Sequence, residues 1–231
     1  MGAPRVIPDF RAALDSALAR GFDSLFGPCF RRVDAGAERA LYLTFDDGPD
    51  PRGTPKVLDL LGEFGARATF FLIGERAKRY PALAREILAR GHAIGNHSPD
   101  HRYATYFSNR DRLAEWIAEG ERQIVEASGV PTVGFRPPAG VRTPELVRAV
   151  RSAGTPLVLW QTRFYDSVFA PHPERLVGSL ARARPGDIVL FHDSQRERHL
   201  GLFLDALRAY LSEARKLSFT FRSLERSQFD V

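Results

Sequence analysis

Two adjacent carboxylates and a pair of histidines are the residues in this chain whose types and spacing suit hydrolytic chemistry. The stretch Thr44-Phe45-Asp46-Asp47-Gly48-Pro49 ends an alternating apolar run, Leu41, Leu43 and Phe45, with Asp46 and Asp47 and then turns at Gly48-Pro49. Successive strand positions point opposite ways, so the two carboxylates are expected to serve different tasks rather than share one proton. Further on, His97-Ser98-Pro99-Asp100-His101 separates two imidazoles by three residues, and Gly95 and Pro99 make that segment a loop. A tight turn can aim both rings at one point. Together with Asp47 they would supply two nitrogens and one oxygen and leave positions open for water and substrate, as a catalytic divalent metal requires. Taken singly, the same residues also read as a solvated turn and two surface histidines.

These groups must be held by the elements around them. A helix is expected over Pro55–Phe64, capped by Thr54 and stopped by Gly65, followed by a buried strand from Ala68 to Ile73. Another helix, Pro81–Arg90, ends at Gly91 and leads to a strand reaching His97. A long helix is expected from Asn109 to Ser128, with Leu113, Ile117, Ile124 and Val125 on its apolar side and Gly129 as its stop. Strands at Val133–Arg136, Leu157–Trp160, Ile188–Phe191 and Phe219–Leu224 then alternate with helices at Pro144–Ala153, Glu174–Ala183 and Leu202–Lys216. This alternation predicts an α/β fold with a parallel sheet, a distorted and incomplete (β/α) barrel of about seven strands. A doubly wound open sheet is the alternative, but no glycine-rich dinucleotide turn supports it. On this reading Asp46, Asp47, His97, Arg136, Asp166 and His192 gather at the C-terminal ends of the strands, which share one face.

The 231 residues suit one sizeable domain, read here as 39–231, preceded by a helical extension over residues 1–38 in which Phe10, Leu14, Leu18, Phe22, Leu25 and Phe26 form an amphipathic stripe. The hydrophobic fraction of 44% and charged fraction of 26% are those of a soluble globular protein, and no apolar run is long enough to span a membrane. The net charge of +5 comes from arginines spread along the chain, without a nucleic-acid-binding motif, so no nucleic-acid partner is expected. Asp9, Arg11 and Asp15 interrupt any signal-peptide core, and a cytoplasmic location is the expectation. The single cysteine, Cys29, reads as a small core residue, and His92, His172 and His199 as solvated or capping residues. Oligomeric state is left open.

The ordered motifs resemble the metal-dependent polysaccharide deacetylases, a family that includes chitooligosaccharide, chitin, peptidoglycan N-acetylglucosamine and acetylxylan deacetylases. The resemblance covers roughly residues 40 to 225. It is carried by Thr44-Phe45-Asp46-Asp47-Gly48-Pro49, His97-Ser98-Pro99-Asp100-His101, Arg136-Pro137-Pro138-Ala139-Gly140 and Leu190-Phe191-His192. It implies a distorted (β/α) barrel in which Asp47, His97 and His101 hold a divalent metal, zinc first, with cobalt or nickel as alternatives. It further implies that Asp46 is the general base, kept ionised by Arg136, and that the Ala139 main-chain N–H stabilises the oxyanion. His192 would be the general acid, oriented by Asp166, with Leu190 lining the substrate site. The implied activity is removal of N-acetyl groups from an acetylated amino sugar oligomer or glycoconjugate. O-deacetylation or deformylation of a related sugar, or a metal-bearing carbohydrate-binding protein without turnover, are the other readings.

The sequence departs from the family pattern in two places. Where members show Trp-x-x-Asp-x-x-Asp-Trp, this chain has Trp160, then Arg163, Asp166 and Ser167, and Ala139 stands where tyrosine is usual. A backbone donor tolerates alanine, but the sugar pocket is expected to differ in shape. Tyr103, Tyr106, Phe107, Phe164 and Tyr165 could supply new stacking surfaces or simply cover the barrel mouth. Arg163 could meet an anionic substrate group or pair with a surface acid.

Overall fold

The computed structural model describes residues 29–229. Six parallel strands form the sheet: β1 (Ala40–Asp46), β2 (Ala68–Leu72), β3 (Ala93–Asn96), β4 (Thr162–Arg163), β5 (Ile188–His192) and β6 (Thr220–Phe221). Their order is β3-β2-β1-β5-β4, with β6 paired to the first residues of β1. Parallel bridges from Asn96 to Phe135 and from Phe135 to Leu157 carry the edge onward from β3. The chain that leaves Leu157 becomes β4 and pairs with β5. The sheet therefore curls into a ring, as the alternating pattern predicts.

The ring is more distorted than seven regular strands would be. Val133–Arg136 and Leu157–Trp160 contribute only isolated bridges, and the last strand shrinks to Thr220–Phe221. The reason lies at residues 29–33, where Phe30 bridges Val158 and Arg32 bridges Asp187. These residues fill the gap between the 157–160 segment and β5, so that segment pairs partly with irregular chain and joins β5 only at Thr162. Residues 29–38 are thus non-helical, and the remainder of the expected extension lies outside the described residues.

The helices are α1 (Thr54–Glu63), α2 (Gly74–Arg79), α3 (Pro81–Ala89), α4 (Arg110–Ser128), α5 (Pro144–Ser152), α6 (Pro173–Ser179) and α7 (Glu197–Lys216). Gly53, not Thr54, is the cap of α1, because the Thr54 hydroxyl is engaged elsewhere. The Asn109 side chain accepts from Arg112 N–H at 3.0 Å and Gly129 closes α4 at φ 84°, as expected from the residue types. α2 has no counterpart in the sequence pattern, since its six residues, mostly charged, show no apolar stripe. α7 begins five residues earlier than its apolar spacing suggests.

β1 is buried on both faces. Leu41, Leu43 and Phe45 pack outward in the main core with Leu58, Leu61, Phe191, Phe203 and Leu207, beneath α1 and α7. Ala40 and Tyr42 point into the ring with Phe71, Val158, Ile188 and Leu224. Thr44 and Asp46 continue that inward series, so the floor of the ring is apolar and its C-terminal mouth is polar.

Candidate active site

Asp46 ends β1 in register with His192 of β5. The chain then turns left-handed at Asp47, φ 72°, which swings the second carboxylate away from the first and towards the 97–101 loop. That loop is wound tightly: Ser98 and His101 both have positive φ, Ser98 Oγ accepts from His101 N–H, and Asn96 Oδ1 accepts from Ser98 N–H. The Trp116 indole N–H donates to Asp100 at 2.8 Å and ties the loop to α4. As a result both Nε2 atoms reach Asp47 Oδ1, His101 at 3.2 Å and His97 at 3.4 Å.

The donor set fits a divalent cation. One ligand atom from each of Asp47, His97 and His101 lies within 4.8 Å of the others. Asp47 Oδ1 is buried without a hydrogen-bond partner. His97 Nδ1 lies 2.8 Å from the Arg136 carbonyl, an acceptor only, so that nitrogen carries the proton and Nε2 presents a lone pair to the Asp47 side. Burial pushes the Asp47 carboxyl up, but N–H donation from His101 and His97 and the positive charge that protonated His97 and His192 place beside it outweigh burial and hold the group well below the usual carboxylate range. A cation held at the same Nε2 atoms would act in the same direction. A cleft of ≈ 290 Å³ opens beside Asp47 and His101, walled by Glu75, Arg76 and Arg79.

Arg136 is fully buried and has its guanidinium satisfied in four directions: Thr44 Oγ1 at 2.8 Å, Asp46 Oδ1 at 2.7 Å, and the carbonyls of Val158 and Leu159 at 3.2 and 3.0 Å. It also stacks 3.9 Å from the Phe71 ring centroid. Its partner Asp46 lies with Oδ2 3.8 Å from His97 Nε2, beside the donor set but not part of it. After Arg136 the chain turns at Ala139, φ 54°, and Ala139 is exposed. Among the described residues its N–H has no intramolecular acceptor, so it is available to a ligand.

Across the mouth, Asp166 accepts from His192 twice, from the ring at Nδ1 and from the main-chain N–H, both at 2.9 Å. Burial draws the imidazole's pKa down. The carboxylates of Asp166, Asp47 and Asp46 more than reverse this, and the His192 pKa stands raised to about 9. At neutral pH His192 is therefore a cation with Nε2–H free to donate.

Residues 34–158 match the polysaccharide deacetylase family. The chain belongs to that family. It is 38% identical over 186 residues to a peptidoglycan N-acetylglucosamine deacetylase of Bacillus cereus, covering 80% of this chain and 85% of that one. It is also 38% identical over 162 residues to a chitooligosaccharide deacetylase of Azorhizobium caulinodans, covering 68% of this chain and 74% of the other. A solved peptidoglycan N-acetylglucosamine deacetylase superposes with a TM-score of 0.78 at 28% identity, covering 92% of this chain and 97% of that one. The protein is a hydrolytic deacetylase of this metal-dependent family, and Asp47, His97 and His101 form a cluster that could hold a metal ion.

Several aromatic residues of this deacetylase sit differently from the sequence expectation. Tyr103, 52% exposed, meets His101 edge to face at 5.2 Å and stands at the mouth. Tyr106 is buried and donates its hydroxyl to the Pro138 carbonyl, so it braces the Ala139 turn instead of offering a stacking face. Phe164, the residue after β4, is buried against Phe191 at 5.0 Å and belongs to the main core on the outer side of the ring, not to the mouth. Tyr165 and Arg163 stay exposed. Leu190 is buried in β5, two residues before His192 and on the same face. His92 is buried, accepting from Ala68 N–H, with its pKa lowered to about 4 mainly by burial; it is a core histidine rather than a solvated one. Cys29 is only partly buried, at the margin of a core cluster.

Sequence reasoning missed a supporting layer. Arg76 of α2 donates to the Asp47 carbonyl and to Ser194 Oγ, both at 2.7 Å, and Ser194 donates to Asp50, so three segments fix the carboxylate turn. Gln195 donates to Asp166 and to the His192 carbonyl. Asp193, fully buried, accepts from the Thr54 hydroxyl and fills the space that a Cβ on Gly48 would need. Burial raises its pKa to about 7. Adjacency to His192 was the available signal for Asp193 and Gln195; Arg76 had none.

Proposed function

We propose that this deacetylase removes N-acetyl groups from an amino sugar oligomer or glycoconjugate of the chitooligosaccharide or peptidoglycan type, with zinc as the metal. The observation that carries the reading is that Asp46 and His192, end residues of paired neighbouring strands, flank the Asp47–His97–His101 donor set with opposite charges already in place. Binding alone would need neither a base with a buried counter-charge nor an acid held cationic by an aspartate. The named relatives support the sugar class.

The metal, when bound, supplies Lewis acidity that activates water and polarises the amide carbonyl. Asp46 takes the proton of the attacking water, and Arg136 balances the charge of the carboxylate throughout. The Ala139 N–H donates to the oxyanion as the carbonyl carbon becomes tetrahedral. His192, with Nδ1–H held by Asp166, donates its Nε2 proton to the departing amine. Tyr103 offers a sugar face one wall of contact beside His101.

The test is acetate and formate release by zinc- or cobalt-loaded protein from N-acetylated chitooligosaccharides, peptidoglycan fragments and acetylxylan, with Asp46→Asn as control. Acetate from an amino sugar, abolished in the variant, is the expected result. Formate alone, or acetate from acetylxylan alone, would replace the N-acetyl assignment.

A further inference from the structure

The rim on the acid side carries a cation with no opposite charge beside it. Arg163 ends β4 in register with Leu190, and its side chain is exposed. Phe164 is buried, whereas Arg163 and Tyr165 on either side of it are exposed, Tyr165 after a left-handed turn at φ 58°. Its guanidinium carbon lies 4.3 Å from the Tyr165 ring centroid and 5.6 Å from that of Trp160. These two rings locate the cation relative to the reacting groups. The Trp160 indole packs against Gly140, the residue after the Ala139 donor, and Tyr165 directly precedes Asp166, which holds His192. Arg163 therefore occupies the stretch of rim that joins the oxyanion turn to the general acid.

Some exposed arginines are neutralised by carboxylates, Arg90 by Asp59, Arg208 by Glu63 and Arg222 by Glu38, while others, such as Arg112 and Arg151, have no such partner among the described residues. Arg163 differs from these in being held by two aromatic rings at the rim of the site. Among the described residues Arg163 has no acidic partner and no hydrogen-bond acceptor. Stacking on two aromatic faces orders the guanidinium while leaving its N–H fork for a ligand. Such a fork pairs two oxygens of a carboxylate or phosphate at once.

We propose that Arg163 is the anion-recognition residue of this deacetylase, selecting amino sugar substrates that bear a carboxylate or phosphate on or next to the residue that loses its acetyl group. This rests on the deacetylase reading above, and it deepens that reading by naming the substrate class. The position beside His192 places the charged substituent on the side of the sugar amine, so recognition and protonation of the leaving group act on the same sugar.

The experiment has a turnover arm and a binding arm. In the first, kcat/KM of the zinc-loaded protein is compared on N-acetylglucosamine oligomers that are neutral, carry a lactyl ether carboxylate, or carry a phosphate monoester. At least one anionic series should be preferred roughly tenfold, equivalent to about 1.4 kcal/mol. Arg163→Ala should bring the ratio to about one, and Arg163→Asp should invert it, mainly through KM. The carboxylate and phosphate series show which group is read. In the second arm, the corresponding de-N-acetylated products are titrated calorimetrically into wild type and Arg163→Ala, which reads recognition without turnover. Tighter, Arg163-dependent binding of an anionic product together with no acyl release from any substrate would overturn the deacetylase reading and leave anion recognition standing. Equal affinity for neutral and anionic products, or a preference unchanged in both variants, would overturn the proposal.

Discussion

The two sides of the active site differ in enclosure. On the base side, Asp46, His97 and Arg136 are at most 2% exposed and are carried by β1, β3 and the segment that bridges β3. On the acid side, Asp166 is equally buried, but it follows a strand of two residues and is flanked by Arg163, Tyr165, Val168 and Phe169, all exposed. Charges that must stay within a fraction of an ångström of the reacting atoms are fixed by the sheet. Groups that meet the substrate stand on loops, where shape can vary without disturbing the core.

Removing the base should have the largest effect. Asp46→Asn is expected to lower kcat by roughly 10²–10⁴ while leaving bound metal unchanged. A loss under about tenfold would move the base role to another group. Next, Arg136→Met leaves Asp46 buried without its counter-charge and should cost about 3–5 kcal/mol in denaturant unfolding. A cost near that of an exposed ion pair would show that the base side is no more enclosed than the acid side.

The acid side should respond through pH. Against the downward pull of burial, Asp166 chiefly raises the His192 pKa, without metal, from 6.5 to about 9. A dication on Asp47 opposes part of that rise, so the alkaline limb of wild-type activity should lie above the ordinary histidine range and below about pH 9. In Asp166→Asn the alkaline limb should move down towards the ordinary histidine range, with kcat at pH 8 reduced. The sign for stability is the same: the folded state binds the proton more tightly, so this contribution is complete below about pH 6.5 and vanishes as pH rises through about 9. Unfolding midpoints of wild type and variant should therefore converge at high pH. An unmoved limb would separate Asp166 from the acid. The smallest effect is expected at the rim, where Tyr103→Ala should raise KM roughly two- to tenfold, in keeping with loss of one aromatic contact worth about 0.5–1.5 kcal/mol. An unchanged KM would leave Tyr103 as cover for His101 alone.

Much of this arrangement was legible because it is local. The alternation before Asp46, the glycines and prolines that punctuate the helices, and the tight His97–His101 turn are short-range signals, and β1, β2, β3, β5, α1, α3, α4 and α5 stand within a few residues of their expected places. Illegible parts depended on distant chain. Phe164 and Tyr106 read like Tyr165 and Tyr103 in the sequence, yet the first two are buried and the last two exposed, since only the packing of Phe191 and Pro138 separates them. α2 lacks an apolar stripe, so Arg76 beneath the carboxylate turn carried no local mark.

By itself the sequence determined the α/β alternation, the motif residues and their order, and the family to which they belong. Only the tertiary structure decided how far each strand extends, because residues 29–33 compete for the edge of the 157–160 segment. It likewise decided the pairing of Arg136 with Asp46 across 90 positions and of His192 with Asp166 across 26. Local pattern states which side chains are available. Ring closure fixes which distant charges meet, since a buried guanidinium or carboxylate is tolerated only where the closed fold supplies its partners.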